Sequence, residues 1–158
     1  MRAVEQIEKK IMSLAQAKVF MQACKTTGKT VAFTNGCFDI LHPGHLFSLA
    51  QSAKEADYLL VGLNSDASVK KLKGPERPIH SESSRASILA NLVLVDVVVV
   101  FEEDTPLQLI LTLLPDVLVK GGDYDPNELD ESKKTFMVGS KEVRAIGGHV
   151  YSIPLVAG

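Results

Sequence analysis

Cysteine is scarce in this chain of 158 residues, which has two, Cys24 and Cys37. They form no Cys-x-x-Cys pair, a disulfide scaffold does not fit this context, and two reduced thiols are the plain reading. An excess of one charge sign is lacking too. Lys and Arg number 17 against 19 Asp and Glu, for a net charge of -2. No global field therefore draws nucleic acid or an acidic membrane, and any positive charge that meets a phosphate has to be local. No apolar run reaches the roughly 18 residues needed to span a bilayer. The opening Met1-Arg2-Ala3-Val4-Glu5-Gln6 lacks a signal-peptide core, and a cytoplasmic location is expected. Internal repeats and low-complexity tracts are absent. Gly28-Lys29-Thr30 has the ending of a phosphate-binding P-loop, but that loop needs a Gly at position 23, where Ala stands, and must open a helix. Here the triplet precedes a strand.

What remains is globular material, 46% hydrophobic and 23% charged. The length suits one domain with a real core, read as a leading helix over 1–27 and an α/β core over 28–158. Residues 3–26 place Val4, Ile7, Ile11, Leu14, Ala17 and Met21 at helical spacing, and Gly28 stops that helix. Apolar runs at 31–34, 58–63, 95–101, 117–119 and 149–153 read as strands. The run at 95–101 is so uniformly β-branched that both its faces should be covered, inside one subunit or at a dimer contact. Helices are expected at 43–55, 66–72, 81–92 (with Ser81 as cap), 105–114 and 140–146. Residues 73–80 form a breaker-rich loop, and the polar stretch 124–139 is expected to be mobile. Strands alternating with helices predict a doubly wound, Rossmann-like parallel sheet with helices on both faces. Ligands then bind beyond the strands' carboxyl ends, at the topological switch point. Segments 35–45 and 120–124 both follow strands and would face that crevice.

The most informative segment is Thr34-Asn35-Gly36-Cys37-Phe38-Asp39-Ile40-Leu41-His42-Pro43-Gly44-His45. Gly36 permits a tight backbone approach, and Pro43 presets a first helical turn. His42 and His45 are three apart and share a face. Free N–H groups of that turn would point at a bound anion. Two imidazoles and a helix N-terminus make a phosphate clamp. Three plainer readings stay open. The histidines can be a cap and a core contact. With Cys37 they can bind zinc, although no fourth ligand cluster lies nearby. Cys37 can also be a nucleophile paired with His, although no orienting third group is evident.

The pattern Gly-x-Phe-Asp-x-x-His-x-Gly-His resembles the signature of the cytidylyltransferase-like HxGH nucleotidyltransferases. Asn64-Ser65-Asp66, Arg77-Pro78, Phe101-Glu102-Glu103-Asp104-Thr105-Pro106, Val119-Lys120-Gly121-Gly122-Asp123-Tyr124 and Gly139-Ser140-Lys141-Glu142-Val143 extend the likeness over nearly the whole chain. They resemble the subgroup that transfers AMP from ATP to D-glycero-D-manno-heptose 1-phosphate, making ADP-heptose for lipopolysaccharide core or another surface glycan. The resemblance implies that His42 and His45 contact the triphosphate with Lys73. It implies that Cys37, Phe38, Asp39, Gly44, Lys71, Lys120, Gly121, Gly122 and Asp123 hold the nucleotide. Asp39, Arg77 and Arg85 would meet the acceptor. Mg²⁺ is expected with ATP, held largely by phosphates and waters, with no protein metal ligand. Bifunctional heptose enzymes carry a sugar kinase domain ahead of this one, so a separate kinase is expected, and homo-oligomers are implied. The usual Ser-Thr-Thr segment after the last strand is missing from 155–158.

The plain readings of the supporting residues also stand. Lys70, Lys71 and Lys73 can be a solvated turn and Arg85 a surface helix residue. Asp66 can simply cap a helix, and Asn64 can shape a turn. Rival functions are a transferase using CTP or another phosphorylated acceptor, and a nucleotide-binding module without turnover.

Overall fold

Short runs of Val, Leu and Ile pair side by side because each has an apolar residue on both faces. They are β1 (Val31–Gly36), β2 (Tyr58–Asn64), β3 (Val97–Phe101), β4 (Val117–Gly121) and β5 (His149–Ile153). All pairings are parallel, in the order β3-β2-β1-β4-β5. The computed structural model describes residues 3–154. Expectations for residues 1–2 and for the tail at 155–158 lie outside the described residues.

Alternation along the strands divides the core into two layers. Val31, Phe33, Leu60, Val97, Val99, Phe101 and Leu118 point to one face, where α2 (Leu14–Thr26), α6 (Leu107–Leu113) and α7 (Ser140–Ala145) pack. Ala32, Leu59, Val61, Leu63, Val98 and Val119 point to the other, covered by α3 (Pro43–Ala53) and α5 (Glu82–Ala90). Each fully buried Leu, Val or Phe contributes about 1.5–3 kcal/mol, so the double cover anchors the central strands firmly. Val97, Val98 and Val99 are buried within this one chain. A short α4 (Asp66–Lys73) follows β2, capped by Ser65, and Ser81 caps α5.

The leading segment departs from the expected continuous helix over 3–26. It holds a single turn, α1 (Glu5–Glu8), then an extended link, then α2. Two forces break it. Ser13 and Gln16 form a reciprocal capping box that starts α2 afresh. The edge of β3 also needs backbone partners. Met12 N–H donates to the Val98 carbonyl at 2.9 Å, and Val98 N–H to the Lys10 carbonyl at 2.8 Å. The stretch at 124–139 has turns only, but it is pinned. Asp125 N–H bonds the Thr135 carbonyl at 2.8 Å, Arg144 donates to the Pro126 carbonyl, and Met137 is buried in the core.

Candidate active site

Adjacent central strands β1 and β4 continue to opposite sides of the sheet, β1 towards β2 and β4 towards β5. Their carboxyl ends therefore open a crevice that neither connection covers. The segments after them meet there. Lys120 Nζ donates to the Asn35 carbonyl at 3.2 Å. Gly121 lies against α3, where an added Cβ would sit 3.3 Å from Ser48 Oγ. Gly122 turns the chain away with φ of 97°, and Asp123 is exposed beyond it.

The two histidines open α3 in an unusual way. His42 is the N-cap, and its Nδ1 accepts from Gly44 N–H at 3.1 Å. His45 Nδ1 accepts in return from His42 N–H at 3.2 Å. The ring centroids stand 4.0 Å apart, tilted by 45°. The His42 ring folds so tightly over Gly44 that a Cβ there would lie 2.7 Å from the ring's Cε1. Phe38, at the strained φ of 46°, sets its ring edge-on to His45 at 5.7 Å. Burial, then the neighbouring imidazole and the Lys73 ammonium, hold the His45 pKa below its usual value. The turn departs from the expected set of free N–H groups. The amides of this turn are not free for an anion, because the imidazoles and the His42 carbonyl already accept them.

Asp39 is buried, and its carboxylate is engaged on several sides. Ile79 N–H approaches both oxygens at 2.9 and 3.0 Å, and His80 N–H reaches Oδ1 at 3.0 Å. Arg77 Nε stands 2.9 Å from Oδ2, an ion pair without hydrogen-bond alignment. Burial opposes the charge on Asp39. The amides of His80 and Ile79, then Arg77 and Arg85, outweigh it and leave the pKa below the ordinary carboxylate value. Asp39 therefore anchors the loop at 74–80 over the crevice, with Arg77 partly exposed on it.

Arg85 overturns the reading of it as a surface helix residue. It is fully buried, not a surface residue. Its guanidinium donates to the carbonyls of His80, Cys37 and Asn64 at 2.9, 2.7 and 2.7 Å, and to Asp66 Oδ1 at 2.8 Å. It ties together the ends of β1, β2 and the 74–80 loop, with four of its N–H groups committed to protein oxygens. Asp66 is not the helix cap, a role Ser65 fills. Asn64 bonds Ser68 Oγ at 2.9 Å through its side chain.

Lys73 ends α4 near His45, whereas Lys71 forms an exposed 3.4 Å pair with Asp104. Lys120 lies beside Cys37, and burial drives its pKa from 10.5 to about 8, with Cys37 pulling weakly upward. Tyr124, to which no role was given, faces the Lys120 ammonium at 5.4 Å. It follows a strand in a stretch without periodicity, so only the Lys-x-x-x-Tyr spacing marked it. Among the described residues no group of three His, Cys, Asp or Glu stands ready to hold a metal. A cavity of about 220 Å³ between α2 and α6, lined by Lys25, Lys29 and Asp116, lies at the strands' amino ends, away from this crevice.

A cytidylyltransferase-like family model matches residues 33–152. The chain belongs to the cytidylyltransferase-like family. The match begins inside β1 and ends inside β5, so it spans the sheet and the crevice. The bifunctional protein HldE of Paramagnetospirillum magneticum is 50% identical over 151 residues, 96% of this chain and 29% of that protein. HldE of Syntrophotalea carbinolica is 56% identical over 131 residues, 83% of this chain and 25% of its own length. The chain thus spans less than a third of these curated relatives. A lipopolysaccharide core biosynthesis protein from Thermoplasma volcanium superposes with a TM-score of 0.60 at 27% identity, covering 83% of this chain and 99% of that one. A pantoate-beta-alanine ligase from Francisella tularensis shares the fold, with a TM-score of 0.62 at 14% identity over 94% of this chain and 67% of its own. This cytidylyltransferase-like chain has the Rossmann-like parallel sheet of those structures. Among its described residues no helix is long and apolar enough to cross a membrane.

Proposed function

We propose that the crevice transfers the AMP unit of ATP to D-glycero-D-manno-heptose 1-phosphate, giving ADP-heptose and pyrophosphate. The observation that carries this reading is the imidazole pair 4.0 Å apart at the switch point, set in a cytidylyltransferase-like chain. Identity of 50% to a bifunctional HldE over 96% of the chain, and likeness to a lipopolysaccharide core biosynthesis protein, support the choice of acceptor.

The acceptor phosphate has its second pKa at about 6 and is mostly dianionic near neutral pH. It needs no strong base. An acceptor oxygen attacks the α-phosphorus, a P–O bond forms in line, and the bond to the leaving pyrophosphate breaks. The protein then has to align the two anions and offset their charge. His42 and His45 donate to the triphosphate, and Lys73 adds a cation from the end of α4. Cys37, Phe38, Gly44, Lys120, Gly121, Gly122 and Asp123 frame the nucleotide. Arg77 reaches the acceptor from the loop that Asp39 anchors, and Lys71 approaches from outside. Asp39 has its oxygens engaged by amides and Arg77, so Mg²⁺ would be held by phosphate oxygens and water. Bound there, it offsets phosphate charge.

Pyrophosphate release, measured with ATP or CTP against both heptose 1-phosphate anomers and glycerol 3-phosphate, tests the proposal. Release is expected with ATP and a heptose 1-phosphate. His42→Ala or His45→Ala should raise the barrier by roughly 3–4 kcal/mol. Preference for CTP would move the reading to a cytidylyltransferase. ATP binding with no release for any acceptor would make the chain a binding module.

A further inference from the structure

The opening turn of α3 commits its amides before any ligand arrives. Pro43 has none. His42 N–H goes to His45 Nδ1, Gly44 N–H to His42 Nδ1, and His45 N–H to the His42 carbonyl at 2.9 Å. A ring nitrogen that accepts a backbone proton cannot carry one. In both rings the proton therefore belongs on Nε2. A doubly protonated ring would set N–H against N–H and break the cap.

We propose that His42 and His45 work as neutral imidazoles that extend the helix N-terminus, each passing a backbone N–H through Nδ1 to an outward Nε2–H donor. That this donor meets a polyphosphate rests on the proposed function, whereas the tautomers rest on the cap alone. Chained hydrogen bonds polarise one another, so the positive end of α3 reaches an anion through the rings instead of its own amides.

The surroundings agree with uncharged rings. The His42 ring is packed on Gly44, and Phe38 lies edge-on to His45. Facing His45, the Lys73 ammonium of α4 opposes a second proton, and a charge on His42 would oppose it as well. Lys120 of β4 adds another cation to the crevice. Asp39 is the carboxylate of the same loop, but it is occupied by Ile79, His80 and Arg77. It is not free to stabilise an imidazolium.

Long-range ¹H–¹⁵N spectra of the histidine-labelled, unliganded protein near neutral pH read the tautomers directly. His42 and His45 should both show a protonated Nε2 and a bare Nδ1. Either ring found as the Nδ1–H form or as imidazolium overturns the proposal. A substitution pair then tests the relay. His42→Asn keeps a strong N-cap acceptor but has nothing at the Nε2 position. It should melt within a few degrees of wild type while turnover falls about 100-fold. His42→Gln places an amide N–H near that position and should keep about tenfold more turnover than Asn. Asn matching or exceeding Gln would refute the relay. If wild type itself releases no pyrophosphate, the proposed function fails while the spectra still decide the tautomers.

Discussion

Removing the Lys120 ammonium should stabilise the fold and weaken its grip on a nucleotide. The ammonium donates to Asn35 at 3.2 Å and faces Tyr124 at 5.4 Å. Burial lowers its pKa from 10.5 to about 8. At about 1.4 kcal/mol per pH unit, keeping that charge folded costs about 3 kcal/mol. The folded pKa lies below the unfolded one, so between about 8 and 10.5 the unfolded chain holds the extra proton. Stability must then rise with pH across that window, with the full penalty present below it and relieved above it. Lys120→Met fills the space with an unbranched apolar chain and loses one hydrogen bond, about 1 kcal/mol.

The net expectation for Lys120→Met is a gain of about 2 kcal/mol near pH 7 that shrinks towards nothing near pH 10. Urea unfolding of both proteins at the two pH values measures it. A non-hydrolysable ATP analogue should raise the melting temperature of wild type more than that of the variant, since only wild type has the half-buried cation to neutralise. A variant less stable than wild type near pH 7, or an equal gain at both pH values, would refute the reasoning.

Arg85→Met leaves three carbonyls and Asp66 without their donors and should destabilise by about 3–5 kcal/mol. Arg85→Lys should recover little of it in urea unfolding, because one ammonium cannot span the sites of a planar fork. Asp39→Asn should loosen the 74–80 loop and raise KM for the acceptor more than for ATP in steady-state kinetics. Because the folded Asp39 pKa is depressed, its stabilisation is present above the ordinary carboxylate range and lost as pH falls through the folded value. The acid limb of a stability–pH curve should accordingly flatten in Asp39→Asn. Cys37→Ser should keep most turnover in the pyrophosphate assay, and complete loss would revive the thiol nucleophile.

The first four strands were legible because each is a short, largely apolar run, whereas the edge strand β5 (His149–Ile153) is half exposed and showed only as a short run near the end. Val97–Phe101 is the clearest case, with four of its five residues buried. The leading segment misled because Ile7, Ile11 and Leu14 continue a helical period straight across a break. The Ser-x-x-Gln capping signal at Ser13 and Gln16 was visible. What no local pattern shows is that Lys10, Ile11 and Met12 are drawn into extended backbone by the open edge of β3. In the site, His42-Pro43-Gly44-His45 announced itself by spacing. The use of the amides did not, because it depends on ring orientations that packing on Gly44 and Phe38 decides.

Arg85 shows the same limit from the other side. On its own helix it reads as any polar residue, since the oxygens it serves come from residues 37, 64 and 80. Parallel strands ending together and one loop folding over them bring these carbonyls to one spot around the buried guanidinium. Unmet, each would cost about 1–3 kcal/mol, and the five-donor guanidinium suits such a convergence. The charge that comes with it has a further effect. Arg85, Arg77, Lys73 and Lys120 gather about the crevice, against Asp39 and Asp66 as their paired carboxylates. A chain with a net charge of -2 thus acquires a local positive field where two phosphates are proposed to meet, built partly from the same group that satisfies the strand ends.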